Sequence, residues 1–158
     1  MNQPAKLAMS PSRPLPLVVG VTGHRDLRPR DRGPLETTVR QILQQLQADY
    51  RHTSLVLLSA LAEGADCLAA QVALDLGIRL IVPLPMPEEE YKREFSSDDA
   101  RAEFDRLLHQ AEKSFPLPPI DGSVGNVEDG DAKRAEAYAG LMKTQGLRHP
   151  ISVATGYF

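Results

Sequence analysis

A single cysteine, Cys67, stands among the 158 residues, so no internal disulfide can hold this chain together. That suits a reducing, cytoplasmic setting. No apolar run approaches the ~20 residues that a membrane-spanning helix needs, and the first sixteen residues lack the apolar core and cleavage pattern of a secretory signal. Lysine and arginine form no cluster of the kind that releases counterions from DNA, and a net charge of −3 argues against a nucleic-acid backbone as partner. Three familiar loops are missing as well. There is no GxxxxGK(S/T), no GxGxxG and no G-x-S-x-G, which removes the motifs of P-loop, dinucleotide-fold and hydrolase-elbow chemistry. His52, His109 and His149 are scattered without metal-ligand spacing, so neither a metal nor a cofactor is expected.

What is there reads as one soluble globular domain. Hydrophobic residues make up 42% of the chain and charged ones 25%, enough for a real core at this length. Residues 1–16 hold Pro4, Pro11, Pro14 and Pro16 and are expected to form a mobile leader. The domain is placed at residues 17–145, with an atypical tail over residues 146–158.

The chain is organised around residues 17–25, LVVGVTGHR. An apolar run with three valines ends in two glycines, a hydroxyl, an imidazole and a guanidinium. That pattern predicts a buried parallel strand opening at its carboxyl end into a cationic loop, the rim where open α/β sheets hold ligands. Glycines let a ligand approach the main chain, and free N–H groups in such a turn favour an anion. The alternative is an ordinary strand-to-helix turn with a solvated His24 and Arg25.

Beyond it, residues 24–33 interleave four arginines with Asp26 and Asp31 and are expected to form an exposed loop. Pro34 suits the first position of a helix over residues 34–52, with Leu35, Val39, Ile42, Leu43 and Leu46 on its apolar face. Residues 55–59 (LVLLS) give a second strand and residues 65–76 a second helix stopped by Gly77. A third strand spans residues 79–84, and a short helix residues 88–95. Ser96 or Ser97 caps a further helix running to about Lys113, with Phe104, Leu107, Leu108 and Ala111 inward. Residues 115–119 allow at most a short edge strand because of their prolines. Residues 121–131 are expected to form an acidic loop and residues 132–144 a helix, while residues 151–158 are ambiguous. Repeated strand–helix units imply right-handed crossovers and a parallel sheet.

The second strand also ends in a loop, over residues 60–66, where a helix amino terminus near Glu63, Gly64, Ala65 and Asp66 offers an anion seat. Glu63 and Asp66 suit ribose hydroxyls or act as caps, and Gly64 permits close approach or a tight turn. Arg25 and Asp66 pairing only with each other is the competing reading. Cys67 is expected to be a buried inert thiol, Glu88, Glu89 and Glu90 a solvated helix start, and Tyr91 to pack rather than stack on a ligand base.

Three segments, GVTGHR (residues 20–25), LSALAEGADCLAAQVALDLG (residues 58–77) and RLIVPLPMPEEEYKREF (residues 79–95), resemble the SLOG superfamily, which unites Smf/DprA DNA-processing proteins and Lonely Guy phosphoribohydrolases. The likeness is to its bacterial branch with a TGHR loop and a later GAD loop, and covers residues 18–108. It implies a Rossmann-like three-layer α/β/α fold with a mostly parallel sheet. It also implies binding of ADP-ribose-type molecules, their cyclic relatives or nucleoside monophosphates; DprA itself binds single-stranded DNA. The phosphate and ribose loop becomes Gly20, Thr22, Gly23, His24 and Arg25, and the second wall Glu63, Gly64, Ala65 and Asp66. The PGGxGTxxE segment of the Lonely Guy enzymes is absent, and no DVLIAxWDG-type strand follows Tyr138, Ala139 and Gly140. A truncated or differently terminated member, lacking a late strand, is therefore expected. The first functional reading is sensing or regulation through a nucleotide or ADP-ribose-like ligand, with nucleic acid and membrane disfavoured and a homodimer left open. The alternatives are a nucleotide N-glycosidase with Glu63 as its acid–base residue, and a member without activity.

Overall fold

The computed structural model describes residues 15–117. Most of the leader and everything expected beyond Leu117, including the helix of residues 132–144 and the final segment, lie outside the described residues. Within them the chain runs β1 (Leu17–Gly20), α1 (Pro29–Asp49), β2 (Leu55–Leu58), α2 (Ala65–Asp75), β3 (Arg79–Leu84), α3 (Glu88–Tyr91) with a 3-10 turn over Lys92–Glu94, α4 (Asp98–Gln110) and β4 (Lys113–Pro116). The four strands form one all-parallel sheet in the order β1-β2-β3-β4. The class is the expected one, α/β and consistent with a Rossmann-like fold.

The order of the strands decides where the helices go. Each new strand is added on the same side, and right-handed crossovers then put every connecting helix on the same face. The core agrees. Alternate side chains Leu57, Leu80 and Val82 gather with Leu43 of α1, Leu68 and Val72 of α2, and Phe104 and Leu107 of α4. Their neighbours Val56, Leu58 and Ile81 point to the other face, where Val18, Phe115 and Leu117 pack against them. Because β2 is buried on both faces, all four of its residues are apolar and none is exposed. The expected third layer and the question of a late strand lie outside the described residues. Among the described strands the order never reverses, so the rim of the sheet rather than a switch point places the site.

Two expectations about α1 need correction. The helix starts at Pro29, not Pro34, which lies inside it. The arginine-rich stretch is exposed, as its polarity requires, yet exposure does not prevent helix. Pro29 supplies the fixed φ of a first turn, Asp31 sits near the amino terminus, and Arg28 bonds Asp31 at 2.5 Å. The inward face is also narrower than expected. Leu43 is buried and Val39 and Leu46 half-buried, but Leu35 and Ile42 are exposed. They lie about 80–100° around the helix from Leu43.

Elsewhere boundaries move by a few residues. Gly77 stops α2 at φ +69°. Ser97, of the two candidate caps, accepts the Ala100 N–H at 3.1 Å. Helix α4 ends at Gln110, and Lys113 begins β4, the short strand the prolines allowed at the end of the described sheet.

Candidate functional site

Gly20 lies opposite Leu58 in the sheet, so the loops after β1 and β2 leave from the same rim. They do not face each other across an open gap; they interlock. Gly64 has φ +92°, and a Cβ there would meet the Arg25 carbonyl oxygen at 2.2 Å and that of His24 at 2.5 Å. A Cβ on Gly23 would meet the Ala65 methyl at 2.4 Å. Glycine is thus required at both positions by the protein's own chain. The Ala65 N–H donates to the His24 carbonyl at 3.1 Å. The Asp66 carboxylate accepts from the amides of Gly23 and Ala62. Below it, the Ser59 hydroxyl donates to the Asp66 carbonyl at 3.3 Å and accepts from the Leu61 N–H at 3.1 Å, holding Leu61 at φ +55°. The expectation that these amides stand free for an anion therefore fails at Gly23 and Ala65, which bond inside the junction.

Burial sets the charges here. Asp66 is 2% exposed, and desolvation lifts its carboxyl to about 6 against an ordinary 3.8, an effect that the two amides and Arg25 moderate. Cys67, also buried, is pushed up to about 12 and donates its thiol to the Leu61 carbonyl at 3.3 Å, an inert group as expected. Glu63 behaves oppositely. Its carboxylate accepts the Ser96 hydroxyl at 2.5 Å and the Ser96 N–H at 3.1 Å, which holds its pKa below the usual range. Arg25 donates to the Glu94 carbonyl at 3.4 Å and to the Tyr91 hydroxyl. Tyr91 packs edge-on against Phe95 and Phe104 with ring centres 5.4 and 5.7 Å away, so it belongs to the core.

Beside this junction opens a cavity of about 600 Å³. Arg25, Glu63 and Gly64 form one wall and α4 the other, with Arg32 of α1 between them. Helix α4 contributes Asp99, Glu103 and Arg106, which fall on one face because they are four and three residues apart. Arg32 bonds Glu103 across the cavity at 3.1 Å. Of the residues singled out in the sequence, Arg25, Glu63 and Gly64 line this cavity. Gly23, Ala65 and Asp66 build the junction behind it, while Gly20, Thr22 and His24 are exposed on their loop and do not line it.

Arg32, Asp99, Glu103 and Arg106 were missed. The polar stripe on α4 was a readable signal. Arg32 was hidden because its segment was read as loop. Among the described residues, no cluster of His, Cys, Asp or Glu is arranged to hold a metal ion, and no helix is long and apolar enough to cross a membrane.

No family model and no curated protein matches the chain. Among solved structures it is similar to DNA processing protein A (DprA) from Streptococcus pneumoniae, at 18% identity and a TM-score of 0.40, over 80% of this chain and 39% of that one. The chain thus spans well under half of that neighbour.

Proposed function

We propose that this domain binds a nucleotide or ADP-ribose-like small ligand in the cleft between the loops after β1 and β2 and helix α4, for sensing or regulation rather than turnover. One observation carries the reading: a cavity of about 600 Å³ at the carboxyl rim of a parallel sheet, lined by both guanidinium and carboxylate groups. Its size is that of a small-molecule site, and its position is the usual one for open α/β sheets. Guanidinium groups pair with phosphate in a fork geometry. Carboxylates accept hydroxyl protons but repel a bare polyanion. A ligand bearing both phosphate and vicinal hydroxyls satisfies both sets.

Turnover is less well served. A glycosidic general acid needs a carboxyl raised toward the working pH, whereas Glu63 is held below its ordinary range with both oxygens on Ser96. Asp66, which is raised, lies in the junction and not on the cleft.

Calorimetry and thermal melting with adenosine monophosphate, ADP-ribose and NAD test the proposal. Ligand at a hundredfold excess over its Kd is expected to add about 2.7 kcal/mol of stability, a rise of several degrees in Tm. Arg25→Ala is expected to weaken binding at least about tenfold, with a shallower salt dependence, and to leave the fold intact. No rise with any of the three compounds overturns the reading. Release of free base that disappears in Glu63→Gln moves the protein to the N-glycosidase class.

A further inference from the structure

The charges that line the cleft can be ordered along helix α4. At one end Glu63 holds Ser96, the residue before the Ser97 cap of α4, so this end carries Arg25 and the first turn of that helix. Arg32 reaches across to Glu103 one turn further on. Arg106 stands beyond both, seven residues from Asp99 on the same helical face, which is about 10 Å along the axis. Arg106 thus sits away from the loops after β1 and β2, with Arg32, paired to Glu103, between it and them.

Neither is exhausted by its neighbours. The Arg32 contact to Glu103 is made through Nη2 alone, leaving most of the five guanidinium N–H donors unengaged. Arg106 makes no guanidinium hydrogen bond or ion pair among the described residues; Asp75 acts on it only through space. An unpaired arginine on a cavity wall offers two parallel donors to an oxyanion, the strong form of phosphate contact.

We infer that Arg106, helped by the free donors of Arg32, forms a second anion seat further along α4, so that the ligand is a nucleoside bearing phosphate groups on two separated positions of its ribose, one facing Arg25 and one facing Arg106. The inference rests on the reading that the cleft binds a phosphorylated nucleoside, and it adds the number and placing of the phosphates. Glu63 and Asp99 beside the first seat and Glu103 between the two face the hydroxylated part of such a ligand. They set it apart from a polyphosphate, whose charge would be continuous along the cleft.

The test is calorimetry on the full chain with adenosine 5′-monophosphate and adenosine 3′,5′-bisphosphate, at one salt concentration, for the native protein, Arg106→Gln and Arg25→Ala. The bisphosphate is expected to bind the native protein at least about tenfold more tightly than the monophosphate. Arg106→Gln is expected to remove most of that ratio while changing the monophosphate affinity less than about twofold. Arg25→Ala is expected to weaken both ligands. Equal affinity of the native protein for the two compounds, or a ratio unchanged in Arg106→Gln, overturns the second seat and leaves the first standing. If neither compound binds, the functional reading itself fails and the second seat with it. Arg106 is exposed, and an unchanged Tm of Arg106→Gln confirms that the fold is not what moved.

Discussion

Asp66 is a carboxylate placed where water cannot reach it, 2% exposed, with Oδ2 lacking a hydrogen-bond donor among the described residues. It joins the two loops through the amides of Gly23 and Ala62, and burial raises its pKa from 3.8 to about 6. The folded chain therefore binds the proton more tightly than the unfolded chain. The stability this contributes is fully present below pH 3.8 and is lost as pH rises through about 6. The gap corresponds to about 3 kcal/mol at about 1.4 kcal/mol per unit of pH. Glu63 pulls the other way in a lower window, because its depressed pKa contributes stability that is fully present above 4.5 and is lost as pH falls below it through the folded pKa. Chemical denaturation from pH 4 to pH 8 is expected to show the native protein losing up to about 3 kcal/mol relative to Asp66→Asn, which keeps a carbonyl for the two amides but cannot ionise. Parallel curves for the two proteins across that window would mean that the Asp66 carboxylate is solvated. The sequence offered Asp66 as a cap, a ribose ligand or a partner for Arg25. None of those readings foresaw a carboxylate bonding backward to another loop, since nothing local in GAD encodes which amides lie behind it.

At the scale of elements, the central strands and α2 were legible because their composition answers to one cause. A strand buried on both faces must be apolar throughout, as LVLL at residues 55–58 is. The start of α1 was not legible, because two prolines five residues apart each fit a first turn and the intervening residues are charged. The structure takes the earlier one and carries Gly33 and Pro34 inside the helix. That choice has a measurable consequence. Pro34 is exposed and, six residues into the helix, has no N–H to donate to the Arg30 carbonyl. Pro34→Ala is expected to raise stability by about 1–3 kcal/mol, since alanine restores the helical N–H and removes the clash of the ring with the preceding turn. A neutral or destabilising result in equilibrium denaturation would place residue 34 at a first turn or in a loop, and with it detach Arg32 from the helical position that aims it at Glu103.

For the molecule as a whole, the loops after β1 and β2 were correctly expected on one rim, since strands that follow one another in a parallel sheet tend to be neighbours. The opening beside them was not foreseen, because it depends on how α4 crosses the sheet, and no single segment carries that information. The interlocked junction and the cleft make different predictions about where a ligand acts. Amides of Gly23 and Ala65 are already bonded within the junction, so binding in the cleft leaves their exchange nearly unchanged. Residues 63–64, the first turns of α4 and Arg32 of α1 line the cavity, and hydrogen exchange of their amides is expected to slow at least about tenfold when adenosine monophosphate or its bisphosphate is saturating. The bisphosphate is expected to extend that protection toward Arg106, and the monophosphate to stop short of it. Slowing confined to residues 20–24, with α4 unaffected, would return the site to the first loop and leave the cleft a solvated gap between helices.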